Sequence, residues 1–520
     1  MSGPSCNYLE DLLADKCRIF EVLLLSATYL ILPNLPLLLL QGKLTLVPHG
    51  YVNVECLLLG ICALFLPRTI VFLLLIAEMI GGFVYAICYS FQFTLGELLS
   101  SLPSVAVLPS LRIMEIGTVL FVIMAVAAAL AYALPRPRHR GWTTVCVLSL
   151  IAVLSGIDAL DGQNPYSPQD AILVSRRMTI CPWMTLVVRD RVLSHADAAT
   201  GNAHASGMTS ASSYALEYLR HAPSSPPPNV VLVVVESWGM LQDPHLAGLL
   251  TAAYADPKIA SAYDVSFGTV PFDGLTVPGE ARELCESHIG FGITRISASD
   301  SDACLPGMFR DRGYETDAVH GYVGGMFQRA RWYRNIGFER MTFKPDLQKL
   351  GLPICPGAFP GICDASIAPW IGSQLEQGNP AAPKFVYWVT LNSHIPVPLN
   401  PHLPADSTCA TQATLSGSGA LCSWFRLVLS VHESVAQLAL QVEARPTVFV
   451  VVGDHAPPFA SLHLRSSFSN TVVPFAILTP KLQHGSKGSV NYADANSPSP
   501  GTNPSVWRKA ESIRENAGGD

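Results

Sequence analysis

Charged residues are scarce in this sequence. Only 14% of its 520 residues are Asp, Glu, Lys or Arg, whereas a soluble globular domain carries about 25%. Basic charge is not in excess either, since the formal net charge is −6, which gives no general electrostatic basis for binding nucleic acid. Because 49% of the residues are hydrophobic, the composition argues against a disordered chain and against a purely soluble enzyme.

The apolar residues are concentrated in residues 1–157. Crossing the hydrocarbon core of a bilayer takes about 20 mostly apolar residues. Five segments meet or approach this length: Ile19–Leu40, Leu44–Leu66, Thr69–Phe91, Ile116–Leu134 and Trp142–Ile157. The sequence therefore predicts an N-terminal α-helical membrane bundle of five transmembrane helices.

The basic residues of the short loops predict an orientation. With the N-terminus inside the cell, the cytoplasmic segments hold six of them: Lys16, Arg18, Arg68, Arg136, Arg138 and Arg140. The opposite loops hold two, Lys43 and Arg112. This difference agrees with the positive-inside rule. Five crossings would then place the chain after about Asp158 outside the cytoplasm.

The rest of the chain has the pattern of an α/β domain. Three apolar, β-branched runs are typical of central strands buried on both faces: Val230–Val235, Phe385–Leu391 and Thr447–Val452. Helical patterns such as Ser423–Val442 lie between them, which predicts a mostly parallel central sheet. We expect a juxtamembrane linker over 158–228, a catalytic domain over 229–485 and, from its polar composition, a disordered tail over 486–520.

Polar residues follow each of these three strands. Glu236 follows the first, His394 comes shortly after the second, and Asp454 and His455 follow the third. Ligands of parallel sheets bind beyond the carboxyl ends of the strands, and carboxylate with imidazole is a ligand set for zinc or manganese-type ions. The sequence therefore predicts a metal site at this edge.

Seven cysteines lie in the predicted exported half: Cys181, Cys285, Cys304, Cys355, Cys363, Cys409 and Cys422. An exported compartment permits disulfides. The pairs nearest in sequence are Cys285–Cys304, Cys355–Cys363 and Cys409–Cys422, which would leave Cys181 single. Sequence does not determine connectivity, so other pairings stay open.

Five short motifs occur in a characteristic order. They are Val-Val-Val-Glu236-Ser-Trp-Gly, Gly274-Leu-Thr276-Val-Pro-Gly-Glu280, Val319-His320-Gly-Tyr, Asn392-Ser-His394 and Gly453-Asp454-His455. This order resembles the sulfatase-like branch of the alkaline phosphatase superfamily. Within that branch it is most similar to the membrane-anchored lipoteichoic-acid synthases and phosphoglycerol transferases, and less so to the phosphoethanolamine transferases.

The resemblance implies a role for each matching residue. Glu236, Thr276, Asp454 and His455 would bind one divalent metal ion, manganese first and magnesium or zinc as alternatives. Thr276 would also be the catalytic nucleophile, and the four side chains should lie within about 5 Å of a common point. The implied substrate-binding residues are His320, Phe327, Arg329 and His394, with Phe327 standing where we would expect Trp.

The resemblance also implies a function. A phospholipid donor would pass its phosphoglycerol or phosphoethanolamine headgroup, through a phospho-threonine intermediate, to an extracytoplasmic glycan or glycolipid. The protein would be a multi-pass protein of the bacterial inner membrane, with a periplasmic catalytic domain that acts in cell-envelope biogenesis. No nucleic-acid partner is expected.

Three alternatives remain open at the level of sequence. A true sulfatase needs a Cys or Ser that is converted to formylglycine, in a Cys/Ser-x-Pro-x-Arg setting. The corresponding stretch here is Thr276-Val-Pro278-Gly-Glu280, which disfavours sulfate ester hydrolysis. A phosphodiesterase that transfers to water and a non-catalytic membrane scaffold are the other two.

Overall fold

The computed structural model describes most of the chain. The described residues are 7–37, 52–90, 94–134, 136, 139–160, 178–179, 187, 210–221, 226–272, 274–285, 290–298, 304–377, 382–397, 409, 412, 415, 417–459 and 462–481. Most of the predicted linker lies outside these ranges. The predicted tail, Cys181, Lys43, Arg138 and residues 44–51 of the second predicted span also lie outside them.

The chain folds into two compact units. Unit 1 comprises the described residues within Met1–Ser100 and Leu108–Ala198, and unit 2 those within Ser101–Val107 and Ala199–Asp520. Unit 1 is mostly helical, and a short parallel pair of strands, β1 (Val52–Asn53) and β2 (Met178–Thr179), joins two of its distant segments. The helices of this part of the chain are α1 (Asn7–Ile31), α2 (Cys56–Phe65), α3 (Arg68–Ser90), α4 (Leu95–Ser101), α5 (Ser110–Ala128) and α6 (Arg140–Leu160).

Three helical segments of unit 1 are long and apolar enough to cross a membrane. They are Arg18–Leu37, Arg68–Tyr85 and Arg112–Ala133. Large apolar side chains on them are exposed, for example Phe20 and Phe121, as expected of helices that face lipid. The second and fifth predicted spans correspond to shorter apolar helices, Cys56–Phe65 and Arg140–Gly156, so the number of five spans stays a prediction.

Unit 2 is built on a seven-stranded sheet in the order β4-β11-β10-β3-β9-β5-β6. Five neighbouring strands, from β10 to β6, are parallel, and β11 and β4 pair antiparallel at one edge. The prediction of a mostly parallel central sheet is therefore confirmed. The strands are β3 (Asn229–Val235), β4 (Tyr263–Pro271), β5 (Glu315–His320), β6 (Arg340–Thr342), β9 (Lys384–Val389), β10 (Thr447–Gly453) and β11 (Val472–Pro480), with a separate hairpin of β7 (Ile354–Cys355) and β8 (Gly361–Ile362).

Helices cover the sheet, which explains why its central strands are apolar on both faces. Successive side chains of a strand point to opposite faces, and on β9 Val386 and Trp388 join the core formed with two long helices. On the opposite face the rings of Phe385 and Tyr387 contact Phe309 and Tyr333. The helices of unit 2 are α7 (Ala211–His221), α8 (Pro244–Leu250), α9 (Pro257–Ala262), α10 (Thr276–Cys285), α11 (Leu305–Arg310), α12 (Arg329–Asn335), α13 (Lys344–Lys349), α14 (Asp364–Gln377), α15 (Gly419–Gln441) and α16 (Leu462–Arg465).

Three disulfides link residues that are near in sequence. They join Cys285 to Cys304, Cys355 to Cys363 and Cys409 to Cys422. The pairing by sequence proximity is thus confirmed for all three. Each closes a short loop in unit 2, where a disulfide stabilises the fold mainly by restricting the unfolded chain.

Candidate active site

The carboxyl ends of β3 and β10 bring two acids and an imidazole together. The two strands are parallel neighbours, so the residues that follow them, Glu236 and the Asp454–His455 pair, reach the same edge of the sheet. His455 Nε2 lies 3.3 Å from Asp454 Oδ2 and 3.5 Å from Glu236 Oε1. All three side chains are buried, and one potential ligand atom from each lies within 4.8 Å of the others.

Ser237 fixes the relative position of the two acids. Its backbone has a left-handed conformation, with φ of 57°, which is uncommon for a residue other than glycine and often occurs at functional sites. In this conformation its N–H donates to Asp454 Oδ1 at 2.7 Å and its hydroxyl donates to Glu236 Oε1 at 2.8 Å. The indole N–H of Trp424 donates to the Ser237 carbonyl at 2.9 Å and holds the turn.

The side chains of this cluster fit a divalent cation. Asp454 Oδ2 is buried and has no hydrogen-bond partner, which is costly for a carboxylate unless a cation compensates it. The Nδ1–H of His455 donates to the Ala456 carbonyl at 2.9 Å, so Nε2 is the nitrogen turned toward the acids. Although burial alone would lower it, Asp454 and Glu236 raise the pKa of His455 to about 9. The site thus favours positive charge.

Thr276 is the first residue of α10 and faces the same cluster. Its hydroxyl donates to Glu236 Oε2 at 2.9 Å and lies 3.4 Å from His455 Nε2. Gly279, on the same turn, allows this approach because a Cβ there would lie only 2.9 Å from Asp454 Cβ. The four residues predicted as ligands and nucleophile therefore converge, while their chemical roles stay predictions.

Two further histidines, His320 and His394, lie at the same edge of the sheet. His320 ends β5, and its Nδ1–H donates to the Val389 carbonyl at 3.0 Å. His394 Nδ1 donates to the Ile395 carbonyl at 2.7 Å. Burial, and secondarily Arg329, lowers the pKa of His320 to about 3. Burial also lowers the pKa of His394, although Glu236 opposes this. Both imidazoles are therefore neutral at pH 7, and the Nδ1 of each is bonded to a backbone carbonyl.

Arg329 is buried and held by a carboxylate of α10. Its Nε and Nη2 donate to Glu280 Oε1 at 2.9 and 2.6 Å. The hydroxyls of Tyr333 and Tyr387 donate to the other oxygen, Oε2, the latter at 3.0 Å. From its sequence position alone, Glu280 could orient the nucleophile loop or be a plain surface or salt-bridge glutamate. In the structure it is fully buried and orients Arg329.

Phe327 lies beside Arg329, and its role in substrate binding stays a prediction. The guanidinium carbon of Arg329 is 5.3 Å from the centre of the Phe327 ring, a cation–π distance. Phe327 and Gln328 both have left-handed backbones. The Phe327 N–H donates to the hydroxyl of Ser104 at 2.9 Å, a residue in the short Leu102–Val107 helix that is far away in the sequence.

Sequence reasoning missed several residues that support this site. Asp364, at the start of α14, accepts hydrogen bonds from the backbone N–H groups of Leu391 and Asn392. These bonds hold the loop that carries His394. Ser237 had a signal in its position within the Glu236-Ser-Trp-Gly motif, whereas nothing in the sequence pointed to Asp364 or Ser104.

Comparisons with known proteins found several that are similar to parts of this chain. A candidate cyclic β-1,2-glucan modification protein of Rhizobium meliloti (strain 1021) is 25% identical to this chain over 171 residues. The match covers 32% of this chain and 25% of that protein. Similar solved structures include a lipoteichoic acid synthase from Listeria monocytogenes (14% identity, 48% of this chain, 65% of that chain, TM-score 0.35). Another is a phosphoglycerol transferase from Streptococcus pyogenes bound to sn-glycerol-1-phosphate (18% identity, 48% of this chain, 67% of that chain, TM-score 0.33).

This chain therefore spans about a quarter of the length of the curated relative that it matches. The sulfatase family model matches residues 228–499. These residues are just over half of the chain and include every residue of the site described above except Ser104. The protein thus belongs to the sulfatase family, as the order of its motifs predicted.

Proposed function

We propose that this protein is a metal-dependent phosphotransferase that moves a phospholipid headgroup to an extracytoplasmic glycan or glycolipid. The observation that carries the proposal is the position of Thr276. Its hydroxyl lies within hydrogen-bonding distance of Glu236 and His455, in a cluster whose remaining acid, Asp454, has a buried oxygen without a hydrogen bond. A nucleophile beside a cation site is the arrangement that phosphoryl transfer to a hydroxyl requires.

Glu236, Asp454 and His455 would hold the cation, with the Thr276 hydroxyl as a further ligand. When bound, a divalent ion lowers the pKa of a coordinated hydroxyl and offsets negative charge on the attacked phosphate. Two carboxylates and one imidazole suit manganese, and magnesium and zinc are the alternatives. Metal analysis of the purified protein distinguishes the three.

The proposed cycle has two steps. In the first, Thr276 Oγ1 gives up its proton and forms a bond to phosphorus, the bond from phosphorus to the diacylglycerol oxygen breaks, and that oxygen takes up a proton. In the second, an acceptor hydroxyl loses its proton and bonds to phosphorus, the bond to Thr276 breaks, and Thr276 Oγ1 takes a proton back. We propose that His394, neutral at rest, first accepts one of these protons at Nε2 and then gives it to a leaving oxygen. Arg329 would bind phosphate oxygens through Nη1, since its other two nitrogens bind Glu280.

A glycan is the acceptor that we favour, and the name of the Rhizobium relative makes a glucan the first one to test. The donor would reach the site from the membrane. We place unit 1 in the bacterial inner membrane as a multi-pass anchor and unit 2 on the extracytoplasmic side. The apolar helices of unit 1 and the disulfides of unit 2 support this placement.

Headgroup-labelled phosphatidylglycerol and phosphatidylethanolamine test the proposal. The purified full-length protein should release diacylglycerol from one of them, and EDTA should stop the release. The Thr276→Ala variant should release diacylglycerol at least a thousandfold more slowly than the wild type. It should also retain no protein-bound label, since the covalent intermediate cannot form. Thr276→Ser, which keeps a hydroxyl, is the matched control. Diacylglycerol release by Thr276→Ala at the wild-type rate would refute the mechanism.

The same assay separates the competing functions. Label recovered as free headgroup phosphate, even with glucan present, would identify a phosphodiesterase that uses water. Hydrolysis of a sulfate ester in place of the phospholipid would identify a sulfatase. Absence of any turnover, together with absence of metal binding, would leave the scaffold alternative.

A further inference from the structure

Glu280 and Arg329 form a buried ion pair beside the proposed nucleophile. Arg329 is 3% exposed and Glu280 is fully buried, and their closest atoms, Nη2 and Oε1, are 2.6 Å apart. Both oxygens of Glu280 are used, since Oε2 accepts from the hydroxyls of Tyr333 and Tyr387. A carboxylate with this many donors is fixed in position, and so is the guanidinium that it binds.

The pair changes the charge that a substrate meets. An unpaired arginine would offer a full positive charge to the phosphate, but Glu280 carries an opposite charge in direct contact with it. Glu236 and Asp454 would similarly offset a divalent cation, so the site as a whole would have little excess positive charge. A phosphodiester or phospholipid headgroup carries one negative charge on its phosphate, and a phosphomonoester carries nearly two at neutral pH.

We propose that Glu280 is a specificity-determining residue that favours singly charged phosphodiesters over doubly charged phosphomonoesters. It does so by cancelling the charge of Arg329 while leaving Arg329 Nη1 to donate to the phosphate. Glu280 acts through Arg329 and so is a positioning residue with an electrostatic effect. This inference rests on the proposed function, because it assumes a phosphoryl substrate at Arg329.

The Glu280→Gln variant removes the negative charge of Glu280 and keeps the size of its side chain. Glutamine has the same size, and its Oε1 can still accept from Arg329. Its Nε2 can donate to the phenol oxygens of Tyr333 and Tyr387, which accept as well as donate. A matched control is Tyr387→Phe, which removes one hydrogen bond from the same carboxylate without changing its charge.

The experiment measures kcat/KM of the full-length, metal-loaded protein for bis(4-nitrophenyl) phosphate and 4-nitrophenyl phosphate, at a pH where the monoester is a dianion. Glu280→Gln should raise kcat/KM for the monoester and shift the monoester-to-diester ratio by about tenfold, because one unit of charge acts at short range in a buried site. Tyr387→Phe should keep the wild-type ratio. If Glu280 had a purely structural role, Glu280→Gln would lower kcat/KM equally for both substrates. That result would overturn the inference.

Binding to the metal-loaded wild-type protein provides a second measurement that needs no variant. Calorimetric titration with dimethyl phosphate and methyl phosphate should give dissociation constants within about tenfold of each other. A dianion that binds a hundredfold more tightly would contradict the inference. If the wild-type protein turns over neither nitrophenyl ester nor any phospholipid, the proposed function fails. Dissociation constants within about tenfold of each other for the two phosphates would still support the inference that Glu280 cancels the charge of Arg329.

Discussion

The environment of Asp454 favours a bound cation. Its Oδ1 accepts hydrogen bonds from the backbone N–H groups of Ser237 and His455. The buried Oδ2 has no hydrogen-bond partner and lies 3.3 Å from His455 Nε2. Burial, together with Glu236, raises the pKa of Asp454 well above its usual range. Without a cation, this second oxygen therefore costs free energy that a neutral side chain would not.

The Asp454→Asn variant should separate metal binding from folding. We expect its metal-free unfolding midpoint to equal or exceed that of the wild type, because a buried charge is removed while both backbone bonds to Oδ1 remain possible. The wild type should gain about 2.7 kcal/mol when the metal is at a hundred times its dissociation constant, and the variant should gain almost none. Thermal unfolding with and without manganese measures both effects.

Asp243→Asn is the matched control for this prediction. Asp243 caps α8 through its side chain, and asparagine caps helices equally well, so the metal response should be unchanged. A metal-dependent rise in midpoint that persists in Asp454→Asn would exclude Asp454 as a ligand.

Apart from the family resemblance, the sequence predicted site residues only where they follow a strand. Glu236 and Asp454 were found in this way, because the end of a buried strand is visible as the end of a β-branched run. Glu280 could not be assigned, since its partner Arg329 is 49 positions away and the sequence gives no register for the contact. Ser104 was missed because a segment between two apolar helices has no sequence signal for a contact with Phe327.

At the scale of elements, the position of α10 depends on the absence of a side chain at Gly279. A Cβ at this position would lie 2.9, 3.0 and 3.1 Å from Asp454 Cβ, Cα and O, closer than packed atoms allow. The first turn of α10, with Thr276, would have to move away from the carboxylates. We therefore expect Gly279→Ala to lose at least a hundredfold in phospholipid turnover, because misplacement of a nucleophile by about 1 Å has this effect.

Gly248→Ala provides the control for Gly279→Ala. Gly248 lies inside α8, and apart from its chain neighbours and the backbone of its own helix no atom lies within 4 Å of the added Cβ. Alanine there should keep activity and stabilise the protein by about 0.5–1 kcal/mol, since glycine disfavours helix interiors. Comparable turnover of the two variants, measured by diacylglycerol release, would show that the close approach of α10 is unimportant.

The long helix α15 carries a buried histidine that should make the protein sensitive to acid. His432 is fully buried, and its Nδ1 is 2.9 Å from the hydroxyl of Tyr254. Burial lowers the pKa of His432 from 6.5 to about 3. Below pH 6.5 the unfolded chain takes up a proton that the native state does not, so stability falls by about 1.4 kcal/mol for each pH unit between these two values.

The His432→Gln variant tests this contribution. Its unfolding free energy should be less dependent on pH between 6.5 and 5 than that of the wild type, although its stability at neutral pH is lower. Chemical denaturation at several pH values, followed by tryptophan fluorescence, measures the slope. Parallel pH profiles for the two proteins would show that His432 does not titrate in this way.

The elements that were predicted well share one physical property. Strands β3, β9 and β10 are buried along their whole length, so an unbroken apolar run marks each of them. Strand β4 mixes buried, half-buried and exposed residues and lies at the edge of the sheet, and β5 contains Glu315 and Asp317. Neither has a continuous apolar run, which is why sequence reasoning did not identify them as strands.

At the scale of the whole molecule, the count of membrane spans was the weakest part of the sequence analysis. Hydropathy reports apolar length, and the first, third and fourth predicted spans overlap the three helical segments that are long enough. The second predicted span contains His49 and Glu55, and its described helix begins only at Cys56. Apolar length alone does not decide whether such a helix crosses the bilayer, because flanking residues and tilt contribute.

The distribution of disulfides predicts where unit 2 resides. Six described cysteines of unit 2 are paired, whereas Cys56, Cys62 and Cys146 of unit 1 have free thiols. Disulfides form and persist outside the reducing cytoplasm. In spheroplasts of producing cells, we therefore expect a protease added outside to digest unit 2, while inside-out membrane vesicles protect it. Without protease, the full-length protein should migrate faster on non-reducing gels than on reducing ones. Protection in spheroplasts and digestion in inside-out vesicles would place unit 2 in the cytoplasm, where a phospholipid-dependent modification of an extracytoplasmic glycan is impossible.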